Sequence, residues 1–341
     1  MKKYLLPKEG NFYKANLHCH TTVSDGKLTP AEVKDAYKSH GYSIVAYTDH
    51  DVMVPHDELN DENFLALHGY EMEATDRTEA CFKHRKTCHM CLIALAPDNL
   101  KQVCYHREKY MVGHGGEYRD RIQFDENMPD FERDHTHECV NIMMNAGREN
   151  GFFVTYNHPV WSLENRSDYE GYNGMHAMEI CNYGCVRSGF SEYNATIYDD
   201  MLRMGKRIYC IGTDDNHNGF ELDDPRGDSF GAFTMIKAEK LDYKTVTDAL
   251  MAGNFYASQA PEIKELYFED GKLYVKTSAC EKISMTTATR KLRNAFREKG
   301  KTLTQASFPV DPDDGYVRIT VKDKYGRYAD TNAYFVDELL K

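Results

Sequence analysis

The chain has 341 residues, and none of its apolar runs is long. Its opening segment, MKKYLLPKEG, carries two lysines but lacks the apolar stretch of a secretory signal. Nothing approaches the roughly 20 apolar residues that a membrane-spanning helix needs. Positive charge is also scarce: 42 Lys and Arg face 54 Asp and Glu, a formal net charge of -12. That deficit argues against long nucleic acids, whose binding rests on counterion release by cationic side chains. It argues equally against an anionic membrane surface. A small anionic substrate is still allowed, because bound cations can reverse the field inside a site. No repeat of fixed period and no low-complexity tract is present. Ten cysteines occur without an export signal, so reduced, buried thiols are expected rather than disulfides. A cytoplasmic protein is expected.

Hydrophobic residues make up 41% of the chain and charged residues 28%, enough for a sizeable core in a soluble globular protein. The length suggests one large domain and a small one. Thr29-Pro30-Ala31-Glu32 has the form of a capping box with proline at the first helical position. The helix it opens should bury Val33, Ala36 and Tyr37 and end at Gly41. A buried strand, Ser43 to Tyr47, then runs into Thr48-Asp49-His50-Asp51. The unit recurs. A helix from Glu138 to Arg148 precedes a strand, Phe152 to Tyr156, that delivers Asn157-His158-Pro159. A helix from Ala195 to Met204 precedes Arg207 to Ile211, which delivers Thr213-Asp214-Asp215-Asn216-His217.

Helices alternating with apolar strands imply a parallel sheet, open or closed into a barrel, with functional groups at the strands' carboxyl ends. Residues from about 97 to 137 are polar and weakly periodic, and read as an insertion that can cover the site. After about residue 260 the pattern turns all-β. Asp270-Gly271 marks a hairpin, and Val317, Ile319 and Val321 alternate with polar residues before a turn at Lys324-Tyr325-Gly326. The expected division is residues 1–260 and residues 261–341.

Alternate residues of a strand face one side, so His18 and His20 can present two imidazoles to one metal. Chance His-x-His pairs are common among 15 histidines, and Asp25 alone reads as a turn aspartate. A buried strand ending in Asp49-His50-Asp51 has no structural need for three ionisable groups. Glu71 and Glu73 have the same character, and a carboxylate there can bridge two cations. His89 stands at the start of an apolar run, not at its end. His158 precedes a proline, and Asp215-x-His217 forms a second alternating pair. Taken together, these clusters point to a metal site, although each alone is ambiguous.

Cys88-x-x-Cys91 has no second Cys-x-x-Cys at zinc-ribbon spacing, and reads as buried thiols whose sulfurs point away from His89. His114, His135 and His137 read as loop residues of the insertion. Trp161 either walls a pocket or packs. Arg77, Lys83, His84 and Arg85 form a basic stretch that can bind an anion or simply be solvated.

The ordered set His18-x-His20, Ser24-Asp25-Gly26, Thr48-Asp49-His50, Gly69-Tyr70-Glu71, His89, Asn157-His158-Pro159 and Asp215-x-His217 resembles the PHP family, named for polymerase and histidinol phosphatase members. The resemblance covers residues 10 to 260. It implies an α/β fold, a distorted, typically seven-stranded TIM-like (β/α) barrel, followed here by a small all-β sandwich. It also implies two or three divalent ions at the strand ends. By this resemblance His18, His20 and Glu71 hold one metal with Asp215. Glu71 bridges to a second held by His89 and His158, and Asp25, His50 and His217 face a third position. The chain departs from the family in carrying Asp214 as well as Asp215; spacing favours Asp215. Glu73 is a weaker rival to Glu71.

Mixed imidazole and carboxylate ligands suit Zn, Mn or Fe. The expected activity is hydrolysis of a small-molecule phosphate monoester by metal-activated water, with His50, Asp215 and His217 as catalytic groups. A phosphodiesterase acting on short nucleotides and a metal-dependent amide hydrolase use the same ligand types. A non-catalytic binding module would be expected to have lost several of them.

Overall fold

The computed structural model describes residues 2–291 and 293–341. Nine strands build the first part: β1 (Asn11–Asn16), β2 (Ile44–Tyr47), β3 (Leu65–Thr75), β4 (Thr87–Ala94), β5 (Phe152–Tyr156), β6 (Ala177–Asn182), β7 (Tyr209–Thr213), β8 (Phe233–Ala238) and β9 (Phe255–Ser258). Four longer helices lie between them: α1 (Pro30–Ser39), α2 (His137–Glu149), α3 (Ala195–Arg203) and α4 (Tyr243–Met251). The α1 capping box forms as the sequence predicts: the Thr29 side chain accepts from the Glu32 N–H, and Glu32 reaches back to the Thr29 N–H. Val33, Ala36 and Tyr37 are buried.

The strand order is β7-β6-β5-β4-β3-β2-β1-β8-β9. Pairs β1–β2, β2–β3, β5–β6 and β6–β7 are parallel. The expected parallel sheet is therefore corrected to a mixed one. β4 runs antiparallel to both β3 and β5, and β8 is antiparallel to β1 and β9. The cause is the short reversal after β3: Asp76 to Lys86 is a loop with one 3-10 turn, too short for the helical crossover that a parallel return requires. Strands from both ends of this order, including Ala15, Ile93, Phe153, Ile211 and Ile236, share one apolar cluster, sealed at one end by Val246 and Leu250 of α4. Beside this cluster, Cys19 pairs with Asn216 as an isolated parallel bridge. Outside it, Tyr70, Met72 and Val154 pack against Val140, Met143 and Met144 of α2.

The insertion is not structureless. Lys101–Gln102 pairs with Gln123–Phe124, and residues 115–121 form 3-10 turns. A buried ion pair, Arg133 to Asp51 at 2.6 Å, ties it to the loop after β2.

Beyond residue 260 come β10 (Ile263–Glu269), β11 (Lys272–Cys280), β12 (Lys282–Thr287), β13 (Arg293–Phe296), β14 (Leu303–Pro309), β15 (Tyr316–Lys322) and β16 (Tyr328–Thr331). The Asp270-Gly271 turn has positive φ at both residues, the signature of a tight hairpin. β10, β11 and β14 make one sheet, joined by Lys3–Tyr4. β16 pairs with β9, so the second sheet continues the first part's own sheet. Leu266, Val275, Ile283 and Ile319 are among the residues of a core between the two. All ten cysteines are free.

Candidate metal centre

The segment after β1 carries His18 and His20, both fully buried. Their Nε2 atoms lie 3.1 Å apart. Glu71, from the middle of β3 and 1% exposed, sits at the centre. Its carboxylate lies 3.1 Å from His18 Nε2, 3.4 Å from His20 Nε2, 3.2 Å from His50 Nδ1, 3.2 Å from His89 Nδ1 and 3.4 Å from His158 Nε2. Asp215 faces it, with Oδ1 at 3.2 Å from His18 Nε2 and 3.1 Å from His20 Nε2. Asp25 stands at the outer rim, 3.9 Å from His50 and 3.6 Å from His217. All nine side chains singled out from the sequence therefore converge.

They form overlapping groups with ligand atoms close enough for one ion each: His20, Asp25, His50 and His217; His18, His158 and Asp215; and His50, Glu71 and His89. These groupings differ from those implied by resemblance, since His20 falls with the rim residues and His158 with Asp215. His89 reaches the cluster from the third residue of β4 because β4 is antiparallel, so its beginning lies beside the end of β3.

Charge and hydrogen bonding fit a cation. Burial opposes protonation of His18, but Asp215, Cys91, Glu71 and Glu179 outweigh it and hold its pKa well above normal. His20 is raised likewise, with Asp215 and Glu71 overcoming burial. Glu71 is held well below the usual carboxylate range, since His18, His89 and His158 outweigh its own burial. Burial and the neighbouring His20 push His50 down to about 3. The carboxylates thus demand positive charge, which divalent cations would supply instead of protons. The Nδ1 atoms of His20 and His89 are buried without any hydrogen-bond partner, although His89 Nδ1 lies near Glu71. Both nitrogens lie beside carboxylates, where a cation can take the place of a hydrogen-bond partner.

Asp214 and Asp215 part company. Asp214 turns away, accepting the backbone N–H groups of Phe230, Gly231 and Ala232 and the Tyr37 hydroxyl. Burial still pushes its pKa up to about 6. Glu73 lies one step outward, paired with Arg77 at 2.7 Å. Two site residues sit in the left-handed region, His158 at φ 26° and Asp215 at φ 52°. Such backbone persists only where the surroundings impose it.

Several contributors escaped sequence reasoning. Glu179, in the middle of β6 and fully buried, accepts from His18 Nδ1 at 2.7 Å, the Thr213 hydroxyl at 2.7 Å, the His158 N–H at 2.8 Å and the Asn182 amide at 2.8 Å. It fixes the His18 ring so that Nε2 faces Glu71. Its signal was a lone carboxylate in the apolar run Ala177-Met178-Glu179-Ile180-Cys181. Asp49, already marked by the Asp49-His50-Asp51 run, accepts from Thr21 and Ser24 and braces the turn that carries Asp25. Cys91 is a correction. His89 and Cys91 are two residues apart on a strand, so they share a face, and the sulfur points toward the site. Cys88 packs in the outer core.

A cavity of about 340 Å³ opens over the cluster. Trp161 walls it while packing edge-on against His89 and His158. Arg187 and Ser188, from the turn after β6, also line it. Arg77, Lys83, His84 and Arg85 do not line it. His114, His135 and His137 lie elsewhere, paired with Glu117, Glu164 and the Ser167 carbonyl.

No protein-family model and no curated protein matches the chain. Among solved structures it is similar to a two-domain protein from Bacteroides vulgatus that contains a predicted PHP-like metal-dependent phosphoesterase. That match has 14% identity, covers 94% of each chain and has a TM-score of 0.44. It carries the name of the family that the motifs resemble. A Bifidobacterium adolescentis protein, put forward as a metal-dependent phosphoesterase, is 18% identical over 73% of this chain and 98% of its own, at a TM-score of 0.40. An amidohydrolase from Chromobacterium violaceum, with sulfate bound and no metal, is 15% identical over 60% and 87%, at 0.36. Likenesses this distant assign neither a substrate nor a residue's role to this chain.

Proposed function

We propose that the chain is a metal-dependent hydrolase that cleaves a small-molecule phosphate monoester, built on a closed barrel of PHP type (residues 1–260) followed by a β domain (261–341). The observation that carries it is the convergence of five imidazoles on the buried Glu71 carboxylate, two of them with orphaned nitrogens. Glu71 and Asp215 would hold ions with His18, His89 and His158, and His20, Asp25, His50 and His217 would hold one at the rim. Zn, Mn and Fe suit these ligands, two or three ions per chain. When bound, such ions supply Lewis acidity toward the ester and lower the pKa of water at the site.

The rest of the chemistry falls to the chain. Arg187 is half-exposed on the cavity wall and can hold the phosphoryl oxygens. His50 lines the cavity and would orient the attacking water. His217, at the rim and also lowered by burial, stands where a leaving oxygen would exit. Trp161 shields one side of the cavity from solvent.

The test is phosphate release from a panel of phosphomonoesters and short nucleotides, with amide substrates alongside. Metal-stripped protein is compared with protein refilled with Mn or Zn. Turnover on monoesters that requires metal and disappears in His18→Ala/His20→Ala is expected. Turnover confined to amides, or none despite bound metal, overturns the assignment.

A further inference from the structure

One buried sulfur belongs to the centre and plays no part in phosphate ester hydrolysis as proposed. Cys91 lies directly across the β3–β4 ladder from Glu71. Its Sγ, a His18 ring nitrogen and a Glu71 oxygen all lie within 4.8 Å of one another, and all three residues are buried. The sulfur is aimed by a short relay. The Thr155 oxygen accepts the Cys91 N–H at 3.3 Å and donates to Asn157 Oδ1 at 2.6 Å. With its oxygen so engaged, Asn157 turns its amide NH₂ inward, where Nδ2 donates to Glu71 Oε1 at 2.9 Å and to Cys91 Sγ at 3.2 Å. The amide donor holds the sulfur in place beside the ring nitrogen of His18 and the carboxylate of Glu71. Beside it, on the same strand face, stands the orphaned and buried His89 Nδ1.

We propose that Cys91 supplies a thiolate donor to the cation held by His18 and Glu71, so that this innermost position takes a thiophilic divalent metal, zinc before manganese or magnesium. The inference rests on the metal-dependent reading of the site. On binding, the Cys91 S–H bond breaks, the proton leaves to solvent and a sulfur–metal bond forms. A thiolate in the set biases the position toward zinc, whereas imidazole and carboxylate alone leave manganese competitive.

The experiment loads wild-type protein, Cys91→Ser, Cys91→Ala and Cys185→Ser with cobalt(II), measuring metal content and the near-ultraviolet spectrum together. Cys185 is the control because it is the thiol that lines the cavity. Wild-type and Cys185→Ser protein should show a sulfur-to-cobalt charge-transfer band. Both Cys91 variants should lose the band while retaining cobalt, and cobalt retention shows that they are folded. In competition, Cys91→Ser should lose zinc affinity but not manganese affinity. Cobalt bound by wild type without the band, or a band that survives in both Cys91 variants, overturns the proposal and leaves the metal site standing. Wild-type protein that binds no cobalt overturns both.

Discussion

Among the described residues, two clusters of buried charge are built on opposite principles. Where α3 meets the C-terminal strands, Arg318 donates from Nε and Nη2 to Asp199 at 2.8 and 2.6 Å, and from Nη1 to Asp330 and Thr320 at 2.7 and 2.8 Å. Tyr316 and Tyr193 donate to the same two carboxylates. Every guanidinium nitrogen has a partner. Around Glu71, by contrast, imidazole nitrogens crowd a carboxylate at 3.1 to 3.4 Å, and two buried ring nitrogens, His20 Nδ1 and His89 Nδ1, make no hydrogen bond. A satisfied buried network holds a fold together, whereas an unsatisfied one of metal-ligating types is shaped for something else.

The sharpest way to break the comparison is to remove one partner from the satisfied cluster. Arg318→Ala leaves two buried carboxylates uncompensated and should cost about 3–5 kcal/mol of stability, seen as a lower urea midpoint, with metal content unchanged. A smaller effect is expected from Glu179→Gln. Losing the carboxylate that orients His18 should weaken metal affinity by roughly 10–100-fold while stability moves little. Equal effects of both substitutions on both readouts would erase the distinction.

A third prediction concerns a histidine outside either cluster. His176 Nδ1 accepts the Val154 N–H at 3.0 Å, and its ring stacks on Phe153. Burial, helped by Arg148, pushes its pKa down from 6.5 to about 4. The unfolded chain therefore binds the proton first on acidification. Stability from this group is complete above pH 6.5 and is lost as pH falls from there toward 4. The loss is on the order of 2 kcal/mol once partial solvent screening is allowed for. Urea unfolding at pH 7 and pH 4.5 should show a steeper loss in wild type than in His176→Asn.

Much of this was legible in the sequence because it depends on local rules. The α1 capping box, the β5 strand bounded by Gly151 and Asn157, and the Asp270-Gly271 hairpin each follow from neighbours in the chain. Strand direction does not. Periodicity cannot say which way an apolar run points, so β4 was expected to be parallel and His89 looked misplaced at its start. Glu179 and Arg187 were missed because one carboxylate in an apolar strand and one arginine on a surface turn have no motif. Their meaning comes from residues distant in sequence, such as Asp228, which accepts from Arg187. The continuity of the sheet from β9 into β16 is likewise a long-range pairing that composition alone does not reveal.

Elemental analysis of the purified protein decides whether the cluster around Glu71 holds metal ions. Wild type should retain two or more divalent ions per chain, with a thiophilic metal among them. Glu71→Gln and His18→Ala/His20→Ala should retain fewer than one while staying folded. Wild-type protein free of metal after incubation with Zn and Mn, or variants that keep the full complement, would contradict the account.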